Sequence, residues 1–91
     1  MGFSNREKWV IYTMNSCGFC KKAKSLLETR SSKNRNNISV EAIPGVGNPR
    51  VDEIMASIGR SDFKTWPKIF LNGVFIGGYG DLENKLKHIN E

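Results

Sequence analysis

Both cysteines of this 91-residue chain, Cys17 and Cys20, stand three positions apart where a short apolar run gives way to a charged, helix-like segment. Upstream, Trp9-Val10-Ile11-Tyr12 is too short for a helix and lacks polar alternation, so it reads as a central strand buried on both faces. Downstream, about residues 18–30 read as a helix. At about 100° per residue, Phe19, Ala23, Leu26 and Leu27 fall on one stripe, Cys20 lies on its edge and Cys17 points away. Cys17 is therefore expected to be exposed and Cys20 half covered. A helix start offers unpaired N–H groups and a positive dipole end, both of which favour thiolate over thiol. Lys21, one turn beyond Cys17, and Lys24 beside it add positive charge. Cys17 thus reads as an attacking sulfur and Cys20 as the sheltered thiol that resolves a mixed disulfide.

The rest of the chain alternates strand and helix signals. The polar cluster from Ser31 to Asn37 reads as a loop, and Ile38, Val40 and Ala42 alternate with Ser39 and Glu41 as a half-exposed strand parallel to the first. Asn48 caps a helix that has Pro49 at its first position, Val51, Ile54, Met55 and Ile58 as its stripe, and Gly59 as its stop. Lys68-Ile69-Phe70-Leu71 and Val74-Phe75-Ile76 flank Asn72-Gly73, a strong hairpin signal because both turn positions need positive φ. Residues 77–81 break the last strand and open a helix with Leu82, Leu86 and Ile89 on one face. The expected order is β-α-β-α-β-β-α, in one domain over residues 1–91 with its core at about 8–90.

Charge and length exclude other classes. The net charge of +5 is concentrated in residues 1–35, where Arg6, Lys8, Lys21, Lys22, Lys24, Arg30, Lys33 and Arg35 face only Glu7 and Glu28. Such a surface attracts a small anionic thiol or an acidic partner, although a solvated helix face has the same composition. No recognition motif or basic-aromatic stripe accompanies the charge, so no nucleic-acid partner is expected. The N-terminus has no apolar h-region and no run approaches membrane length, so the expectation is a cytoplasmic protein without a membrane partner. Met1-Gly2 suggests myristoylation only superficially, because Arg6 fills the required Ser or Thr position. Two cysteines and the lone His88, read as a solvated helix-end residue, fall short of a structural zinc site.

Three motifs in register resemble the glutaredoxin family: a strand leading into Cys17-Gly18-Phe19-Cys20-Lys21-Lys22, then Thr65-Trp66-Pro67-Lys68, then Gly77-Gly78-Tyr79-Gly80-Asp81-Leu82. The resemblance implies a thioredoxin-like α/β fold, a four-stranded mixed sheet flanked by three helices. It further implies glutathione-dependent thiol–disulfide exchange acting on protein disulfides and glutathionylated proteins, with Cys17 and Cys20 catalytic. In this family the Pro of Thr-x-Pro is cis, which here would turn the backbone of Trp66 toward the cysteinyl part of glutathione, as in strand addition. Gly77 and Gly78 would permit close approach, and the N–H groups of Tyr79, Gly80 and Asp81 would hold the γ-glutamyl carboxylate. Phe19, Lys21, Lys64 and Thr65 complete the glutathione-binding set carried over by resemblance.

The chain also departs from the pattern. Cys-Gly-Phe-Cys stands where dithiol members often have Cys-Pro-Tyr-Cys, and its first three residues match the monothiol Cys-Gly-Phe-Ser; Met14 stands where the family usually carries a carboxylate-binding Lys. Lys21, Arg60 and Lys64 are the candidate replacements. The monothiol character implies an alternative, a carrier of a 2Fe-2S cluster ligated by Cys17 and glutathione in a dimer; the expected disulfide reductase is a monomer.

Overall fold

The computed structural model describes residues 6–33 and 38–89 of the chain. Its elements run β1 (Glu7–Thr13), α1 (Gly18–Lys33), β2 (Ile38–Pro44), α2 (Pro49–Ser57), β3 (Lys68–Leu71), β4 (Val74–Gly77) and α3 (Tyr79–Ile89). One mixed sheet has the order β2-β1-β3-β4, with β1 and β2 parallel and the β1–β3 and β3–β4 pairs antiparallel. The expected order of elements and the thioredoxin-like α/β architecture are both present.

β1 is central, and its residues divide between two cores because alternate side chains leave opposite faces of a strand. Trp9 and Ile11 join Ala23, Leu27, Ile69, Leu82 and Leu86 beneath α1 and α3. Tyr12 joins Val51, Met55 and Phe70 beneath α2, with Val10, Phe63, Trp66 and Phe75 around them. The α1 stripe differs from the helical-wheel expectation at its first member: Phe19 is 57% exposed, its ring set against that of Tyr79 rather than in the core.

Turn chemistry sets the boundaries. Asn48 Oδ1 accepts the Arg50 N–H at 3.0 Å and caps α2 ahead of Pro49. Gly59, at φ +74°, ends it: the Gly59 and Arg60 N–H groups donate to the carbonyls of Ala56 and Met55 at 3.1 and 2.8 Å. Ile58 thus becomes the C-cap and is 43% exposed rather than part of the buried stripe. Asn72 and Gly73 have φ of +51° and +84°, as a two-residue hairpin requires. The Asn72 side chain also ties this turn to β1, accepting the Lys8 N–H at 2.9 Å and donating to the Arg6 carbonyl at 3.1 Å.

α1 continues through Ser31–Lys33, where a loop is expected from composition; the Ser31 hydroxyl donates to the Ile38 carbonyl at 3.2 Å and holds the helix end against β2. The remainder of that loop, 34–37, and the side chains of His88 and Ile89 lie outside the described residues. α1 is clamped to β1 by a forked ion pair, with Arg30 Nε 2.9 Å from Glu7 Oε1 and Arg30 Nη2 2.7 Å from Glu7 Oε2. The Trp9 indole N–H donates to the same Glu7 Oε1 at 2.9 Å.

Candidate active site

The C-terminal end of β1 delivers the chain to α1 through a tight turn in which Ser16 adopts φ +61°. Cys17 is then the N-cap residue of α1, which begins at Gly18. Its Sγ takes the place a serine hydroxyl usually occupies, accepting the Cys20 N–H at 3.1 Å, while its carbonyl accepts the Lys21 N–H at 3.3 Å. The two sulfurs are joined as a disulfide across a Cα–Cα distance of 5.2 Å. An N–H donor and the positive end of a sixteen-residue helix directed at one sulfur stabilise negative charge on it once the bond is reduced.

Cys17 is 7% exposed and Cys20 4%, which corrects the expectation of an exposed and a half-covered pair. The cover comes from elsewhere in the chain. The Trp66 carbonyl oxygen lies 3.9 Å from Cys17 Sγ, and the Trp66–Pro67 bond is cis, as the resemblance implies. Pro67 is fully buried, and its carbonyl would stand 3.7 Å from a methyl placed on Gly78, so the loop before β3 and the start of α3 are neighbours.

At that start, Asp81 Oδ2 accepts the Gly78 N–H at 3.0 Å, and the Leu82 N–H is bonded to the Gly78 carbonyl at 3.0 Å. The N–H groups of Tyr79, Gly80 and Asp81 precede the first closed helical turn and have no partner within the helix. Gly77, at φ +131°, is required twice over: by its dihedral, and by the Asp81 carboxylate, which occupies the place of a side chain. Gly80 borders open space, and a methyl on Gly78 would make only ordinary contact with Phe63 at 3.5 Å. The Phe19 ring leaves the core to stack against Tyr79 at a centroid separation of 5.7 Å, bridging the starts of α1 and α3. Desolvation, then the charge of Glu83, holds the Tyr79 phenol above its ordinary 10.0, so at neutral pH it is an uncharged hydroxyl.

Cys17, Cys20, Trp66, Pro67, Gly78 and Asp81 therefore form one continuous set of contacts, extended by the Phe19–Tyr79 pair. Lys21, Lys64 and Thr65 are exposed beside it, and the Thr65 carbonyl is engaged internally. Met14, the departure from the family's lysine, is 42% exposed.

The family model for glutaredoxin matches residues 9–76. The chain belongs to the glutaredoxin family. A glutaredoxin 1 from Rickettsia typhi is 40% identical over 76 residues, covering 82% of this chain and 66% of that relative. A glutaredoxin 3 from Escherichia coli is 38% identical over 72 residues, covering 79% of this chain and 77% of the relative. Among solved structures, reduced glutaredoxin from Escherichia coli superposes with a TM-score of 0.73 at 24% identity, over 92% of this chain and 99% of that one. The dithiolic glutaredoxin of Trypanosoma brucei brucei superposes with a TM-score of 0.61 at 30% identity, over 90% of this chain and 79% of that one. With its adjacent cysteine pair, this glutaredoxin is a thiol–disulfide oxidoreductase in general character.

One residue beside the site carries no sequence signal of its own. Lys68 reads as the polar first residue of a strand, yet it is 5% exposed, with Nζ 2.9 Å from the Phe63 carbonyl, 3.0 Å from that of Thr65 and 4.1 Å from the Trp66 ring centroid. The available hint is parity: Lys68 shares a strand face with Phe70, which is core.

Proposed function

We propose that this glutaredoxin reduces glutathione mixed disulfides and protein disulfides with glutathione as reductant, Cys17 being the nucleophile and Cys20 the resolving thiol. The observation that carries the proposal is the position of Cys17 Sγ, 3.1 Å from the Cys20 N–H at a helix start and 3.9 Å from the Trp66 carbonyl. The first contact favours the thiolate, and the second sets the sulfur beside a stretch of backbone suited to pair with the cysteinyl residue of glutathione. The N–H groups of Tyr79, Gly80 and Asp81, which have no partner within the helix, suit the γ-glutamyl carboxylate, since a helix start attracts anions. The Phe19–Tyr79 ring pair joins the starts of α1 and α3, and the exposed Lys21 and Lys64 add positive charge beside the cysteines.

In the monothiol route, the Cys17 thiolate attacks the glutathionyl sulfur of a mixed disulfide; the protein thiolate leaves and a Cys17–glutathione disulfide forms. A second glutathione thiolate attacks the glutathionyl sulfur of that bond, releasing oxidised glutathione and restoring Cys17. In the dithiol route, Cys17 attacks a protein disulfide and Cys20 resolves the intermediate, giving the bonded pair seen here, which two glutathiones reduce. The cluster-carrier reading needs Cys17 free to ligate iron; here it is bonded to Cys20, and no separate observation favours that reading.

The test is a glutathionylated peptide assayed with Cys17→Ser and Cys20→Ser. Cys17→Ser should abolish release of the peptide thiol, whereas Cys20→Ser should retain a substantial part of it. Equal loss in both would remove the monothiol route.

A further inference from the structure

We propose that Lys68 is a positioning residue for this reaction, its ammonium locking the Trp66 peptide at the distance from Cys17 at which a glutathione mixed disulfide is held. The inference rests on the activity proposed above and adds a residue to it.

A lysine at the first position of a strand ordinarily extends its stem along the surface and leaves the charge in water. Lys68 does the opposite. Opposite Tyr12 in the β1–β3 pairing, it turns its side chain back under the preceding loop and is 5% exposed. Two N–H groups donate to carbonyls of that loop, to Phe63 at 2.9 Å and to Thr65 at 3.0 Å, and the ammonium also lies over the Trp66 ring at 4.1 Å. A buried ammonium is costly unless charge-assisted bonds and an aromatic face replace its water, and here each of these replacements belongs to residues 63–66. Burial accordingly pushes the Lys68 amine below its ordinary 10.5; the charge of Lys64 acts in the same direction and that of Asp52 against it.

The Trp66 ring is closed in at a second place. A methyl on Gly45 would lie 2.8 Å from the indole Cη2 and 3.1 Å from Tyr12 Cβ, so the indole packs against bare backbone where any other residue would displace it. With the ring held by Gly45 and Lys68, and the preceding carbonyl held by Lys68, the Trp66 peptide has little rotational freedom. The Trp66 carbonyl, which lies 3.9 Å from Cys17 Sγ, belongs to the following Trp66–Pro67 peptide, one residue beyond the Thr65 carbonyl that Lys68 holds. Lys68 touches neither sulfur by any contact seen here; it acts through Trp66.

Lys68→Met keeps most of the apolar stem and removes the donors and the charge, whereas Lys68→Arg keeps a cation and its donors. Steady-state reduction of a glutathionylated peptide by the full chain should show KM raised about tenfold in Lys68→Met with kcat within about twofold of the parent, and Lys68→Arg should recover most of the loss. Should Lys68→Met fail to fold by circular dichroism, Lys68→Gln, which keeps an N–H donor without charge, is expected to raise KM by a smaller factor. A folded Lys68→Met or Lys68→Gln protein with parental KM, whatever its melting temperature, overturns the inference while the parent's activity stands. A parent chain inactive on the glutathionylated peptide overturns the activity and the inference together.

Discussion

Removing the carboxylate of Glu7 should cost more stability than its place near the start of the described chain suggests. Glu7 accepts three hydrogen bonds, two from the Arg30 guanidinium at 2.9 and 2.7 Å and one from the Trp9 indole at 2.9 Å. The two ionic side chains are only 12% and 15% exposed, and Trp9 is fully buried. An exposed pair contributes about 0–1 kcal/mol, whereas breaking a fully buried one costs about 3–5 kcal/mol. The residual exposure places this pair between those limits, and Glu7→Ala also strands the indole N–H, so we expect a loss of about 2–3 kcal/mol. For a domain of this size that lowers Tm by roughly 10–20 °C. The hydrogen bond from Arg30 holds the Glu7 carboxyl below its ordinary 4.5, with burial acting against it and Trp9 and the Arg30 charge adding to it. A carboxylate with a lowered folded-state pKa contributes its full stability above the unfolded-state value and loses it as pH falls through the folded one. The gap in stability between the parent and Glu7→Gln should therefore shrink as pH is lowered from 5 toward acid. Thermal melts by circular dichroism at pH 7 and across the acid range are the assay. A loss below about 0.5 kcal/mol at pH 7 would mean that solvent screens the pair like any surface bridge and would refute the reasoning.

Gly45→Ala should force the Trp66 indole from its place, costing about 1–3 kcal/mol and shifting the indole N–H resonance of Trp66 while leaving that of Trp9 in place; an unmoved Trp66 signal would contradict the packing described. Asp81→Ala removes the acceptor of the Gly78 N–H and the acidic residue of the first turn of α3, and should lower stability by about 0.5–2 kcal/mol in denaturant melts.

Much of this molecule is legible locally. Trp9–Tyr12 as a buried strand, Asn48-Pro49 as a helix start, Gly59 as a helix stop and Asn72-Gly73 as a hairpin turn each depend on backbone rules that act within a few residues, and each is present. The misreadings share a cause of another kind. Ser31–Lys33 has loop composition, yet it stays helical where Ser31 reaches the Ile38 carbonyl across a segment the helix pattern does not describe.

The cysteines show where the boundary falls. A helical wheel gives the direction of a side chain and says nothing of what covers it, and Cys17 is covered by Trp66, 49 residues away in sequence. Lys68 escapes for the same reason, since its acceptors are carbonyls, which a sequence pattern does not distinguish from one another. Helix register, by contrast, is local. Once α1 begins at Gly18, Cys17 is its N-cap and the Cys20 N–H must point back toward its sulfur, as the 3.1 Å contact shows. The electrostatics of the nucleophile thus follow from two neighbouring turns of chain, while its accessibility depends on a loop brought to it by the sheet. Electrostatics and access are therefore separable by mutation: substitutions in residues 63–68 should alter what reaches Cys17 without removing the helix-start contact that favours its thiolate.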